Sequence, residues 1–167
     1  MADGEDVCDL VPESPQIRLV QLEGGDPLSI GEKRNFGCER AAGSVVIHFD
    51  DDDESAPHRI QNQVTRLANS GRSVTGYKSM VFEDQSGKRF LYCGASDYAL
   101  GTSLCYHKDW WAKNQFPALQ VAEDNAFVAA ACRAGQLTTV DSGGLIVASI
   151  HPGNTSPRNM GSEWKEL

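Results

Sequence analysis

A run of five acidic residues, Asp50–Glu54, constrains the fold of this 167-residue chain more than any other feature. Five adjacent like charges repel one another and cannot share a dry interior, so the run must lie in water. It follows the apolar stretch Val45–Phe49 and precedes an amphipathic segment that begins near Pro57. The sequence therefore predicts a strand, then a solvated acidic junction, then a helix.

The segment after the acidic run carries the signals of a helix over residues 57–69. Ser55 can accept a hydrogen bond from an unpaired backbone N–H, and a proline in the first turn suits a helix start. Ile60, Val64 and Leu67 recur at helical spacing and predict a buried apolar stripe. The acidic run would then stabilise the positive end of the helix dipole.

Most other patterns are typical of strands, because β-branched, aromatic or alternating residues fill short stretches between turns. These stretches are Gln16–Leu22, Gly43–Phe49, Tyr77–Glu83, Arg89–Cys93, Leu137–Val140 and Leu145–Ile150. Glycine-containing segments at 84–88 and 141–144 predict two hairpin turns. We expect a mainly β fold, a single antiparallel barrel, trefoil or sandwich with one helix near 57–69. The alternative is an α+β fold in which Phe127–Cys132 is helical, since its alanines favour helix.

Composition divides the chain into three parts. Residues 1–15 are acidic and end in two prolines, which predicts a flexible arm. Residues 16–151 form a single globular domain, for which 40% hydrophobic content is sufficient. Residues 152–167 combine prolines, glycines and polar residues, which predicts an irregular tail.

Charge and cysteine usage exclude several functions. The net charge of -8 argues against nucleic-acid binding, which requires a clustered positive field. The acidic start is unlike a signal peptide, and no stretch reaches the ~20 apolar residues of a membrane helix. We therefore expect an intracellular, cytoplasmic protein with no membrane partner. Five cysteines without a CxxC pair predict no zinc site, and no cofactor is expected.

The string Asp141-Ser142-Gly143-Gly144 resembles the nucleophile turn of chymotrypsin-like serine proteases, although Val140 stands where that family has glycine. The resemblance implies that Ser142 is a nucleophile. A serine nucleophile needs a histidine base, for which His48 and His107 are candidates. A hairpin turn explains the same four residues, so a serine hydrolase remains an alternative function.

The acidic run is also a weak candidate for a metal site, because carboxylate oxygens bind hard cations. Its members are Asp50, Asp51, Asp52, Asp53 and Glu54. A calcium loop alternates ligands with spacers, whereas consecutive side chains splay apart. We therefore expect nonspecific cation binding at most, and no metal site.

The segment Tyr106–Trp111 is the densest mixture of aromatic and polar residues. Adjacent tryptophans on a strand point to opposite faces, so at least one ring would be exposed. Tryptophan is enriched among residues that dominate protein interfaces. Trp110, Trp111, His107 and Lys108 are therefore predicted to bind a protein partner.

The sequence as a whole favours a non-catalytic interaction or assembly module that binds a protein partner or self-assembles. This preference rests on the lack of a convergent set of acids, bases or metal ligands. The alternatives are the serine hydrolase that uses Ser142 and a binder of small molecules inside a β-barrel.

Overall fold

The structure is a computed structural model that describes residues 9, 11–20, 27–155 and 160–167. Its helices are α1 (Ile30–Arg40), α2 (Arg59–Ser70), α3 (Lys108–Trp111) and α4 (Glu123–Arg133). Its strands are β1 (Val45–Ile47), β2 (Glu54–Ser55), β3 (Val74–Asp84), β4 (Arg89–Cys93), β5 (Cys105–His107), β6 (Leu137–Asp141), β7 (Ile146–Ile150) and β8 (Trp164–Glu166). All of these strands belong to one mixed sheet.

Strand β3 is the axis of this sheet. One of its edges pairs antiparallel with β5 and then with β4. The other edge pairs in parallel, first with β6 and then with β7. Parallel partners and flanking helices are not compatible with an antiparallel barrel, trefoil or sandwich. The expectation of a mainly β fold is therefore wrong, and the α+β alternative is closer.

The segment Asp141–Gly144 is not the hairpin turn that its sequence predicts. Strands β6 and β7 run in the same direction along β3, so no chain reversal lies between them. Ser79 of β3 pairs with Asp141 and Val81 pairs with Val147, so the chain bulges away from β3 between these two contacts. The other predicted turn does join antiparallel strands, β3 and β4.

Helix α2 occupies the place of the helix predicted over 57–69. His58 is its N-cap, without a side-chain cap bond, and the Ser55 hydroxyl instead accepts a hydrogen bond from Arg59 at 2.7 Å. Ser55 is therefore not the cap. Of the predicted stripe, Leu67 is 1% exposed, but Ile60 is 53% and Val64 is 38% exposed.

Polar side chains share the buried face of α2 with Leu67. Arg59 and Gln63 are each 1% exposed. Gln63 donates to the backbone carbonyl of Ser103, and the Arg59 guanidinium donates to carbonyls of neighbouring loops. The helix is therefore docked by hydrogen bonds as well as by apolar contacts.

Both ends of the chain depart from expectation. Residues 17–20 of the predicted strand Gln16–Leu22 are not in a strand, and residues 21–26 lie outside the described residues. The tail predicted as irregular contains β8, which pairs with β4. Residues 1–8 and 10 of the predicted arm are likewise outside the described part.

The described helices include none whose length and apolar content would let it cross a lipid bilayer. The cytoplasmic location stays a prediction.

Helix α1 offers a matched pair of glycines that tests how it docks. A Cβ at Gly31 would lie 1.8 Å from the carbonyl oxygen of Pro117, whereas a Cβ at Gly37 meets nothing within 4 Å. We expect Gly31→Ala to lower the free energy of unfolding by about 2 kcal/mol or more, because backbone must move. Gly37→Ala should raise it by up to about 1 kcal/mol, since alanine is the better helix former.

Urea denaturation of both variants measures these changes. Equal stability of the two alanine variants would show that α1 does not pack against Pro117 as described.

Candidate active site

Three carboxylates gather in the turn that follows β1. One oxygen each from Asp50, Asp52 and Asp53 can be chosen so that all lie within 4.8 Å of one another. We call these three residues the acidic trio. The turn between β1 and β2 brings them together although they are nearly consecutive, while Asp51 and Glu54 are not members. Ligands of open α/β sheets bind beyond the carboxyl ends of strands, and the trio occupies such a position.

Strand β7, the residue that follows it and a short 3-10 helix at Gly101–Ser103 hold two members of the trio in place. The Asp53 carboxylate accepts hydrogen bonds from the Thr102 hydroxyl at 2.8 Å and from the Ser149 backbone N–H at 3.2 Å. Asp52 lies 2.9 Å from Nε2 of His151 through its Oδ2. Segments distant in sequence therefore converge on these carboxylates.

The trio carries more negative charge than its surroundings neutralise. Burial is the largest cause that raises the pKa of Asp50, and Asp52 raises it further while Arg34 lowers it. Burial likewise raises the pKa of Asp53, partly offset by its bond from Thr102. Closely spaced oxygen ligands with excess negative charge are the donor set that a divalent cation prefers.

A second acidic pair, Glu123 and Asp124, lies in the first turn of α4. The residue before that turn, Ala122, has a φ of 67°, a left-handed conformation that costs energy for a residue with a Cβ. Glu123 of the pair is bound by Arg34 at 2.9 Å. The Asp124 carboxylate lies against Gly101, where an added Cβ would be 2.1 Å from its Oδ2.

Asp124 differs from Glu123 in its partners. Asp124 has no ion pair with any residue that the structure describes, and its charge raises the pKa of Asp50. The two carboxylates are therefore close enough to interact, although 74 positions separate them in the sequence. A glycine at position 101 leaves the space that Asp124 occupies.

A cavity of about 310 Å³ lies on the far side of two residues that bond the trio, although no member of the trio lines it. Its wall includes Glu54, Ser149 and His151, and the latter two bond members of the trio. Val147 and Ile150 add apolar surface. The cavity thus offers both hydrogen-bonding and apolar walls next to the acidic cluster.

The histidines predicted as bases do not approach Ser142 within the described part of the chain. Ser142 is buried where the chain bulges between β6 and β7, and its backbone N–H donates to the carbonyl of Ser79. His107 ends β5. His48 is buried beside the trio, and burial together with Arg34 lowers its pKa to about 3. It is therefore neutral at physiological pH.

Trp110 and Trp111 lie on α3 and not on a strand, so the alternation argument does not apply to them. Trp111 is 5% exposed and donates through its indole N–H to Asn35 at 2.9 Å. Trp110 is half-buried and packs against the core beneath it. Their binding of a protein partner together with His107 and Lys108 stays a prediction.

Comparison with known proteins decides the family. The profile of Glycosyl transferase family 2 matches residues 5–140, most of the chain. The chain belongs to glycosyl transferase family 2. No curated protein matches the sequence significantly. The predictions of a non-catalytic interaction module, a serine hydrolase or a small-molecule binder are therefore wrong, because the family is one of transferases.

Solved structures support the fold of this family. The structure of S. aureus TarS 1–349 in complex with UDP-GlcNAc is similar with a TM-score of 0.63 and 18% identity, over 83% of this chain and 43% of that one. TarS 1–349 in complex with UDP gives a TM-score of 0.56 and 18% identity, over 74% and 41%. The fold is thus GT-A-like, a Rossmann-like α/β arrangement with a mixed sheet. The chain spans less than half of the TarS chain.

The charge of the trio predicts how stability depends on pH. Because the pKa of Asp50 is raised on folding, the folded state retains a proton that the unfolded state has lost. The contribution of Asp50 to the free energy of unfolding should therefore fall as pH rises from 3.8 through the raised pKa. Asp50→Asn removes the ionisable group, so the difference in stability between this variant and wild type should be more favourable to the variant at pH 7 than at pH 3.

Thermal unfolding at pH 3, 5 and 7 measures this effect. Asp51→Asn, a change at an exposed acid outside the trio, is the control and should alter stability by less than about 0.5 kcal/mol. If the difference in stability between Asp50→Asn and wild type is less favourable to the variant at pH 7 than at pH 3, the predicted sign is wrong.

Proposed function

We propose that this chain forms the catalytic part of a glycosyltransferase that moves a sugar from a nucleoside diphosphate to an acceptor hydroxyl. The observation that carries the proposal is the acidic trio, three carboxylates with oxygens within 4.8 Å of one another, one of which interacts with Asp124. Membership of glycosyl transferase family 2 supports it. The similar TarS structures contain UDP-GlcNAc or UDP, which makes a UDP-sugar the first donor to test.

The trio fits a divalent cation by its chemistry. Mg²⁺ is usually held by one or two carboxylates together with substrate phosphates, and the trio supplies carboxylates on a short turn. Asp52 and Asp53, which His151 and Thr102 already orient, would hold the ion, and Asp50 would complete the set. When bound, the cation offsets the negative charge that develops on the departing nucleoside diphosphate.

Asp124 is the residue of this chain best placed to take the proton of the acceptor hydroxyl. A general base must be able to accept a proton and must lie within hydrogen-bond reach of the reacting hydroxyl, and a carboxylate without a cationic partner meets the first requirement. Glu123 is neutralised by Arg34, whereas Asp124 has no cationic partner among the described residues and interacts with Asp50. It lies in the first turn of α4, two residues after the left-handed Ala122.

The cavity beside the trio supports a place for the acceptor. Ser149 and His151 link its wall to Asp53 and Asp52, so a molecule in the cavity lies next to the cation site. Glu54 can accept hydrogen bonds from hydroxyl groups, and Val147 and Ile150 can contact an apolar face. An acceptor that carries several hydroxyls suits this lining.

The cation site is tested by titrating Mn²⁺ into the protein in the presence of UDP, with isothermal calorimetry as the readout. We expect Asp52→Asn to weaken binding by more than about tenfold, because a charged ligand is lost. Asp51→Asn is the matched control and should bind as wild type does, since Asp51 is outside the trio. Equal binding by both variants would refute the cation site.

The role of Asp124 is tested by the transfer or slow hydrolysis of UDP-GlcNAc in the presence of Mn²⁺. Asp124→Asn should lower kcat by about 10²–10⁴, the usual contribution of a general base. It should weaken the binding of Mn²⁺ and UDP much less than Asp52→Asn does, because Asn keeps the shape of a side chain that is not one of the proposed cation ligands. A kcat close to that of wild type would exclude Asp124 as the base.

A further inference from the structure

A hydrogen-bonded chain of buried side chains lies directly behind the acidic trio. Nη1 of Arg34 is 2.7 Å from Nδ1 of His48, and Nε2 of His48 is 2.9 Å from the Tyr106 hydroxyl. That hydroxyl is 3.1 Å from Sγ of Cys38. His48 is 8%, Tyr106 0% and Cys38 3% exposed.

The chemistry of these groups fixes the proton positions. Arginine is only a donor, so Nδ1 of His48 must be the acceptor. Nε2 therefore carries the hydrogen and donates to the oxygen of Tyr106, whose hydroxyl is left to donate to Cys38. Nδ1 also lies 3.1 Å from the carbonyl oxygen of Gly101, a contact that requires a hydrogen on Nδ1; we assign the opposite tautomer because the contact with Arg34 is shorter.

Arg34 is the link between this chain and the candidate active site. Its Nε donates to Glu123 at 2.9 Å while its Nη1 donates to His48. Two acceptors, one just after β1 and one in the first turn of α4, thus hold one planar guanidinium that projects from α1. The charge of Arg34 acts on Asp50, which places it beside the trio.

We propose that His48 is a positioning residue of the active site, which holds the Arg34 guanidinium in a fixed orientation between Glu123 and the acidic trio. This inference rests on the proposed function. Arg34 has rotatable bonds that would otherwise let it swing to solvent or collapse onto the carboxylates. An imidazole locked by Tyr106 presents its acceptor at one place and prevents both.

Two substitutions at His48 separate positioning from packing. In His48→Asn the side-chain oxygen can occupy the place of Nδ1 and keep the acceptor for Arg34. In His48→Leu the volume is similar but the acceptor is lost. A role in packing alone predicts that leucine, which suits a buried site, is tolerated at least as well as asparagine.

We expect His48→Leu to raise the KM for UDP-GlcNAc, and the dissociation constant of UDP with Mn²⁺, by about 10-fold or more with a smaller change in kcat. Changes to groups that orient ligand-binding residues commonly cost about 10–100-fold. In His48→Asn the same KM and dissociation constant should rise by less than about threefold. Tyr106→Phe, which frees the imidazole to rotate, should fall between the two.

Nitrogen NMR of the wild-type chain provides a readout that is independent of transfer. The ¹⁵N shifts of His48 should show hydrogen on Nε2 and none on Nδ1, and the Arg34 Nε–H signal should be sharp. The Arg34 signal should broaden in His48→Leu and persist in His48→Asn. Thermal unfolding identifies any variant that has lost its fold, in which case Tyr106→Phe serves as the test.

The outcomes distinguish the two proposals. A wild-type chain that binds neither Mn²⁺ nor UDP refutes the proposed function. The same result refutes the positioning role of His48 in that function. Normal wild-type binding combined with equal behaviour of the leucine and asparagine variants overturns the role of His48 alone. Hydrogen on Nδ1 would overturn it as well, because Arg34 could not then donate there.

Discussion

The buried guanidinium of Arg59 is the interaction on which the surroundings of the acidic run depend. It donates to the carbonyls of His48 and Thr102, each at 2.6 Å, and to the side chains of Ser55 and Gln63. A buried charge is costly unless its donors are paired, so these acceptors must be in place together. The residue that follows β1, the end of β2 and the short 3-10 helix that carries Thr102 are thereby tied to α2. Because the Thr102 hydroxyl donates to Asp53, the position of the trio also depends on the bonds of Arg59.

The sequence predicted the elements around Arg59 better than their orientation. The β-branched residues of β1 and the helix after the acidic run lie where the patterns indicated. The prediction of which face of α2 is buried was wrong, because Arg59 and Gln63 are buried while Ile60 is exposed. Apolar periodicity cannot reveal that loop carbonyls from distant segments need donors at this place. Likewise, the composition of residues 141–144 describes a turn but not the direction of the strand that follows.

The sequence named the acidic run only as a weak metal candidate and did not name Asp124, for physical reasons that differ between the two. Consecutive carboxylates do splay apart in an extended chain, but a tight turn after β1 brings Asp50, Asp52 and Asp53 together. Their position after an apolar strand was the available signal. Asp124 gave no such signal, because only the packing of α4 against Gly101 brings it near the trio. A buried histidine such as His48 also looks the same in sequence whether it positions a neighbour or fills space.

The pairing of β3 has a consequence for the order in which the molecule folds. Only β4 follows β3 through a short connection, while β5, β6 and β7 return to it after much longer excursions. Closing a short loop costs less entropy than closing a long one, so the β3–β4 hairpin can form early. The trio, Thr102, Glu123 and Ser149 meet only after the remote strands have docked. The candidate site is therefore assembled late, after almost all of the chain that contributes to it has folded.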